Sequence, residues 1–147
     1  MPISKAWSTD LPDINVWLAL VYDGHQHHER ALGWSDGVAP RGAAFCRVTQ
    51  MGLLRLLTNS KVMGESVLSQ KKAWQVYDLL SSDGRFVFLA EKRNVDRSWR
   101  KLTQSGISAS AGWTDTYLAA LAEVNGLRLV TFDQGFRKFQ ELNHLVL

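Results

Sequence analysis

At 147 residues, 46% hydrophobic and 21% charged, the chain has the length and composition of one soluble globular domain over residues 1–147, with enough apolar content to exclude disorder. A net charge of +3 is compatible with a polyanionic partner but does not require one. The single cysteine, Cys46, excludes an intramolecular disulfide; no apolar run approaches the roughly 20 residues of a membrane helix, and the N-terminus lacks a secretory apolar stretch, so the expectation is a cytoplasmic protein with no membrane partner.

Residues 1–9 read as a loose lead-in, and Leu11-Pro12-Asp13 as the end of a very short first strand. Residues 15–22 are densely apolar and predict a helix capped by Asp13 or Asn15, with a second helix over 25–34. Residues 43–48, short, apolar and bounded by turns, predict a buried second strand. Thr49 then caps a third helix over 50–57, whose Leu53, Leu54 and Leu57 share one face. Residues 59–64 read as a loop, 66–80 as a fourth helix and 86–89 as a third strand. A short basic helix over 95–102 and a small polar loop over 106–112 follow. The next helix opens at Thr114-Asp115 and closes near Asn125-Gly126, leading into a strand over 127–130 and the turn Thr131-Phe132-Asp133. A short helix over 134–139 and a last strand over 142–147 complete the chain. Short strands separated by helices imply a mainly parallel sheet covered on both faces.

In such a sheet, strand carboxyl ends and the amino ends of the following helices share one edge, where ligands bind. Asp13 ends strand one, Asp115 opens the helix before strand four, and Asp133 follows strand four, so topology can bring them into one crevice. The equivalent place after strand two holds Gln50. Taken singly, each acid is better explained as a helix cap or a turn former. Taken together, three carboxylates at close range repel one another unless a cation neutralises them. Oxygen ligands without His or Cys suit Mg²⁺ or Mn²⁺ rather than Zn²⁺, and such a cation supports phosphoryl chemistry. Thr114 and Thr131 flank the acids and are expected to hydrogen-bond to them.

Other groups carry weaker signals. His25, His27 and His28 read as the polar first turn of the second helix rather than a metal site, and Cys46 as a packed strand residue rather than a nucleophile. The basic stretch over 85–101 is the best candidate for RNA contacts, with Arg93, Arg97 and Arg100 meeting phosphates and Trp99 stacking on a base. An ordinary solvated helix face with one buried Trp explains it as well. A phospho-acceptor receiver domain is set aside, because Pro12-Asp13 offers no adjacent acids after strand one.

The segments LPDINVWLAL (11–20), HQHHERALGW (25–34), FCRVTQMGLLRLLTN (45–59) and WTDTYLAALAEVNGLRLVTFDQGF (113–136), in this order and spacing, resemble the PIN-domain ribonucleases, and among them the VapC-type toxins of toxin–antitoxin pairs. The resemblance implies a PIN-like three-layer α/β/α sandwich with a mainly parallel sheet of four to five short strands. It implies a metal-dependent endoribonuclease that hydrolyses RNA phosphodiesters, a cognate antitoxin protein and a homodimer. By the same resemblance, Asp13, Asp115 and Asp133 ligate Mg²⁺ (or Mn²⁺), and Asn15 assists by hydrogen bonding near the metal. The remaining family acid, usually a glutamate, aligns with the Thr49-Gln50 region and is here Gln50. Glutamine keeps a carbonyl oxygen but loses a charge and cannot act as a base. The alternative that follows is a catalytically weakened PIN fold that binds RNA or its antitoxin without turnover.

Overall fold

Five short strands, β1 (Asp10–Pro12), β2 (Ala43–Phe45), β3 (Phe86–Phe88), β4 (Arg128–Thr131) and β5 (His144–Val146), pair into one sheet in the order β3-β2-β1-β4-β5, every pairing parallel. The structure, a computed structural model, describes residues 9–91, 94–104, 112–139 and 141–147. The predicted lead-in and the loop over 106–112 lie almost wholly outside those residues. From β1 the chain builds outward to β2 and β3 on one side, then returns to lay β4 and β5 on the other. The strand order therefore reverses between β1 and β4, which is where an open α/β sheet leaves a crevice beyond its strand carboxyl ends.

Around the sheet lie α1 (Ile14–Val21), α2 (His28–Asp36), α3 (Arg47–Leu57), the single turn α4 (Ser60–Met63), α5 (Gln70–Ser81), α6 (Asp96–Gln104) and α7 (Trp113–Asn125). Short 3₁₀ turns occupy Gly64–Ser66 and Gln134–Lys138. Successive strand residues point to opposite faces, and the core divides accordingly. Leu129 packs with Leu11, residues 118–122 of α7, Phe136 and Phe139; its neighbour Val130 packs with Val16, Trp17, Phe45, Leu53, Tyr77 and Phe86. Layers of α6–α7 and of α1–α3–α5 thus sandwich the sheet, as the resemblance implied. The second layer is rich in aromatics: Trp17 stacks on Phe45 at 3.8 Å and meets Phe86 and Trp34 edge-on. Helices α1 and α3 approach so closely that a Cβ on Gly52 would fall 2.3 Å from Ile14 Cδ1. Among the described residues, no helix is long and apolar enough to cross a membrane.

Several boundaries differ from expectation, each for a local reason. Strand β2 stops at Phe45 because a capping box starts α3 early: Thr49 Oγ1 accepts from the Cys46 amide at 3.0 Å. Thr49 is therefore the third residue of the helix, not its cap, and Cys46, still buried, is the cap. Helix α2 begins at His28; His25 and His27 form the preceding turn, where the His27 amide donates to His25 Nδ1. Asn59 caps α4 through Lys61 N–H, giving a helical turn where a loop was expected. Ser69 caps α5 through Lys72 N–H and delays its start to Gln70. At the amino ends of the strands, buried Asp10 receives Arg128 Nε and Nη2 at 2.8 and 2.9 Å and Trp34 Nε1 at 2.9 Å, tying β1, β4 and α2 together.

Candidate active site

Asp13 stands at the carboxyl end of β1, where its amide still donates to Val130 O at 2.8 Å before the chain turns into α1. It caps that helix: Oδ1 accepts from Ile14 N–H at 2.7 Å. Its other oxygen accepts from the Thr131 hydroxyl at 3.1 Å. Thr131, fully buried at the end of β4, also accepts the Asp133 amide on the same hydroxyl at 2.9 Å. One side chain thus joins two acidic turns across the switch point. Asp133 is exposed and accepts from Gly135 N–H at 2.7 Å, which opens the 3₁₀ turn after β4. Asp115, half-buried, lies in the first turn of α7.

The three acids share one field. Burial raises the Asp13 carboxyl to about 6, the Ile14 and Thr131 hydrogen bonds oppose that, and the charges of Asp115 and Asp133 add to it. Asp115 is raised by its own burial and by Asp133, with Lys138 partly offsetting both. Lys138, on the 3₁₀ turn, was not singled out from the sequence; only its position five residues after Asp133 could have suggested it. Asp13, Asp115 and Asp133 offer only carboxylate oxygens, the donor chemistry that suits a hard cation. Among the described residues, however, no three Asp, Glu, His or Cys side chains are gathered closely enough to form a ready metal cage.

The other predicted residues divide. Thr131 is bonded to Asp13 as expected. Asn15 and Thr114 are exposed on the first turns of α1 and α7, beside Asp13 and Asp115. Thr49 is buried in its capping box, away from this role. Gln50 is buried and turned elsewhere: its Oε1 accepts from Arg47 at 2.5 Å, and Tyr77 is a second hydrogen-bond partner. Arg47 in turn lies over the Phe88 ring. The histidines do not gather into a site; His28 Nδ1 donates to Ala19 O at 2.7 Å, while the His27 ring lies on Phe132 at 4.5 Å.

Of the basic stretch, Arg93 lies outside the described residues. Arg97 and Arg100, with Asn94, Asp96, Lys101 and Gln104, line an open groove of about 510 Å³ on the outer face of α6. Trp99, the residue expected to stack on a base, is tied into the fold. Its indole N–H donates to Thr116 Oγ1 at 2.9 Å, and its ring is half-buried between Tyr117 and Trp113, both edge-on.

The PIN domain family model matches residues 11–142. Ribonuclease VapC41 of Mycobacterium tuberculosis is 40% identical over 134 residues, covering 88% of this chain and 92% of that protein. Ribonuclease VapC38 of the same organism is 35% identical over 128 residues, covering 85% of each. Among solved structures, VapBC2 from Rickettsia felis, bound to a DNA fragment from its promoter, aligns over 94% of this chain and 98% of its own with a TM-score of 0.70 at 14% identity. FitAcB from Neisseria gonorrhoeae aligns over 93% and 96% with a TM-score of 0.69 at 18% identity. These two show the same fold. With the family model spanning most of the chain and relatives at 40% and 35% identity over nearly all of it, the chain belongs to the PIN-domain family.

Proposed function

We propose that this chain is a VapC-type endoribonuclease, the toxin of a toxin–antitoxin pair, which hydrolyses RNA phosphodiesters with Mg²⁺ or Mn²⁺ at Asp13, Asp115 and Asp133. The observation that carries this reading is the electrostatic coupling of these three acids at the sheet's switch point, with Asp13 buried and raised to about 6. Relatives named ribonucleases support the activity, and the fold shared with VapBC2 and FitAcB supports an antitoxin partner. A homodimer acting in the cytoplasm completes the reading.

In this reading a bound divalent cation supplies Lewis acidity toward the phosphate and lowers the barrier to activating water. The chain's own residues do the positioning. Ile14 N–H and the Thr131 hydroxyl fix the Asp13 carboxylate, so little rotamer freedom is left to lose when ligand binds. Thr131 links the Asp13 and Asp133 turns so that they respond together. Lys138 limits the repulsion felt by Asp115. A hard cation commonly takes one or two carboxylates directly and keeps several waters, so three acids short of a closed cage are compatible with binding.

Asp115→Asn tests the assignment. Cleavage of purified RNA in Mn²⁺ is expected to fall by at least about tenfold in the variant and to stop with EDTA. Full activity in the variant, or cleavage that survives EDTA, sinks the mechanism.

One observation favours a second reading, in which the protein binds RNA or antitoxin without cutting. Gln50 is held by Arg47 and Tyr77 and supplies no fourth charge. If the wild type is inert in Mg²⁺ and Mn²⁺ while Gln50→Glu cleaves, this second reading holds.

A further inference from the structure

We infer that Trp113 is a stacking platform for a nucleobase of single-stranded RNA, flanking the nucleotide whose phosphate is cut. This rests on the ribonuclease reading above and adds a positioning residue to it. Trp113 is 72% exposed although it is the largest apolar side chain type, and it sits in the same first turn of α7 as Asp115. Residues two apart on a helix leave it on different sides, so the indole does not enter the acidic crevice. Given the roughly 10 Å width of a helix, it stands about one or two nucleotides along a strand passing Asp115.

The ring is braced rather than loose. Trp99 meets it edge-on at 6.0 Å with the planes at 87°, and Trp99 is itself anchored to Thr116 and Tyr117. One indole is spent on support and the other is offered to solvent. The same helix pair carries the chemistry a nucleic-acid strand requires. Arg97, Lys101 and Gln104 fall at helical spacing on the outer face of α6, with Arg100 beside them, and line its groove. Cations that track a backbone next to an aromatic face are the two components of sequence-tolerant single-strand binding. Of the other large exposed apolar residues, Met51, Val62, Val67, Trp74 and Leu79 lie on or between α3 and α5 in the opposite layer, and Phe88, at the end of β3, has Arg47 over its ring.

The test uses the cleavage-silenced Asp115→Asn protein and fluorescence anisotropy with short oligo(A) and oligo(U) RNAs. Adding Trp113→Ala is expected to raise the Kd for oligo(A) by about 5- to 150-fold, the range of one lost base stack. Trp113→Phe retains most of the affinity, whereas Trp113→Leu, apolar but not aromatic, behaves like alanine. The preference for oligo(A) over oligo(U) collapses in the alanine variant, because purines stack more strongly. The dependence of Kd on salt stays as in the parent, since no phosphate contact is lost, and Arg100→Ala flattens it instead.

An unchanged Kd in Trp113→Ala overturns the inference, including the case in which the variant loses a protein partner while keeping RNA. Equal losses in the phenylalanine and alanine variants, or a reduced salt dependence in either, also overturn it. Wild type that binds RNA through Trp113 but never cleaves it defeats the nuclease reading and leaves the stacking intact. No RNA binding by any form defeats both.

Discussion

Asp13→Asn is expected to make the metal-free protein more stable at neutral pH while removing its activity. Burial, with Asp115 and Asp133 adding to it, raises this carboxyl from 3.8 to about 6. Between those values the folded chain holds a proton that the unfolded chain has released. Native stability therefore falls as pH rises from about 4 to about 6, and stays at the lower level above that. At about 1.4 kcal/mol per pH unit the penalty at neutral pH is on the order of 3 kcal/mol. Asparagine is isosteric and can still accept from Ile14 N–H, so a net gain of about 1–2 kcal/mol remains after weaker hydrogen bonding. In EDTA, the melting temperature of the wild type should decline across that window, and the variant's should decline less, since only the raised Asp115 carboxyl remains. Mn²⁺ should raise the melting point of the wild type and leave the variant unmoved. RNA cleavage should fall by more than about a hundredfold, the upper end for losing an outer-shell partner of a metal. A variant less stable than wild type at neutral pH would mean that Asp13 is a structural cap whose charge the fold requires.

Asp10→Ala should carry the largest stability loss of any single polar change on the sheet. Asp10 accepts two hydrogen bonds from Arg128 and one from Trp34 with almost no solvent of its own. Its removal leaves an indole N–H and a guanidinium without their acceptor at the start of β1 and β4. A fully buried orphaned charge costs about 3–5 kcal/mol; Arg128 retains 38% side-chain exposure, so we expect about 2–3 kcal/mol. For a domain of this size that is a fall of roughly 5–10 °C in melting temperature. Because Asp10 lies at the strand end opposite Asp13, cleavage measured well below the melting point should be unchanged. A melting point within about a degree of wild type would show that water takes over the lost bonds.

Much of this architecture is legible in sequence because its signals are local. The apolar runs of α1 and α7, the Gly126 left-handed stop at φ 65° and the acidic turn after β4 each announce themselves within a few residues. Asp13, Asp115 and Asp133 could be placed on one edge because strand-end position and topology suffice for that. What failed was set by partners distant in sequence or by very short elements. Strand β2 is three residues long, too short for any period to mark its end, and the Cys46–Thr49 box that ends it is not a usual cap pair. Trp99 and Trp113 have similar local character. Only the packing of α6 on α7 and the Thr116 hydroxyl decide which indole is tied down and which is exposed. The Asp10–Arg128 pair spans 118 positions and could not be read from spacing at all. Gln50 stands out as the departure from the family's acid, and its bond to Arg47 lies within one helical turn, but its second partner Tyr77 is set by the packing of α5 on α3.

The most direct measurement is cleavage of single-stranded RNA by the purified chain in Mn²⁺, after EDTA, and after Mn²⁺ is restored, alongside Asp13→Asn, Asp115→Asn and Asp133→Asn. Three acids acting through one cation predict cleavage that stops with EDTA, returns with Mn²⁺, and falls sharply in every variant. Cleavage that persists in EDTA, or stays at the wild-type level in any one of these variants, would contradict it.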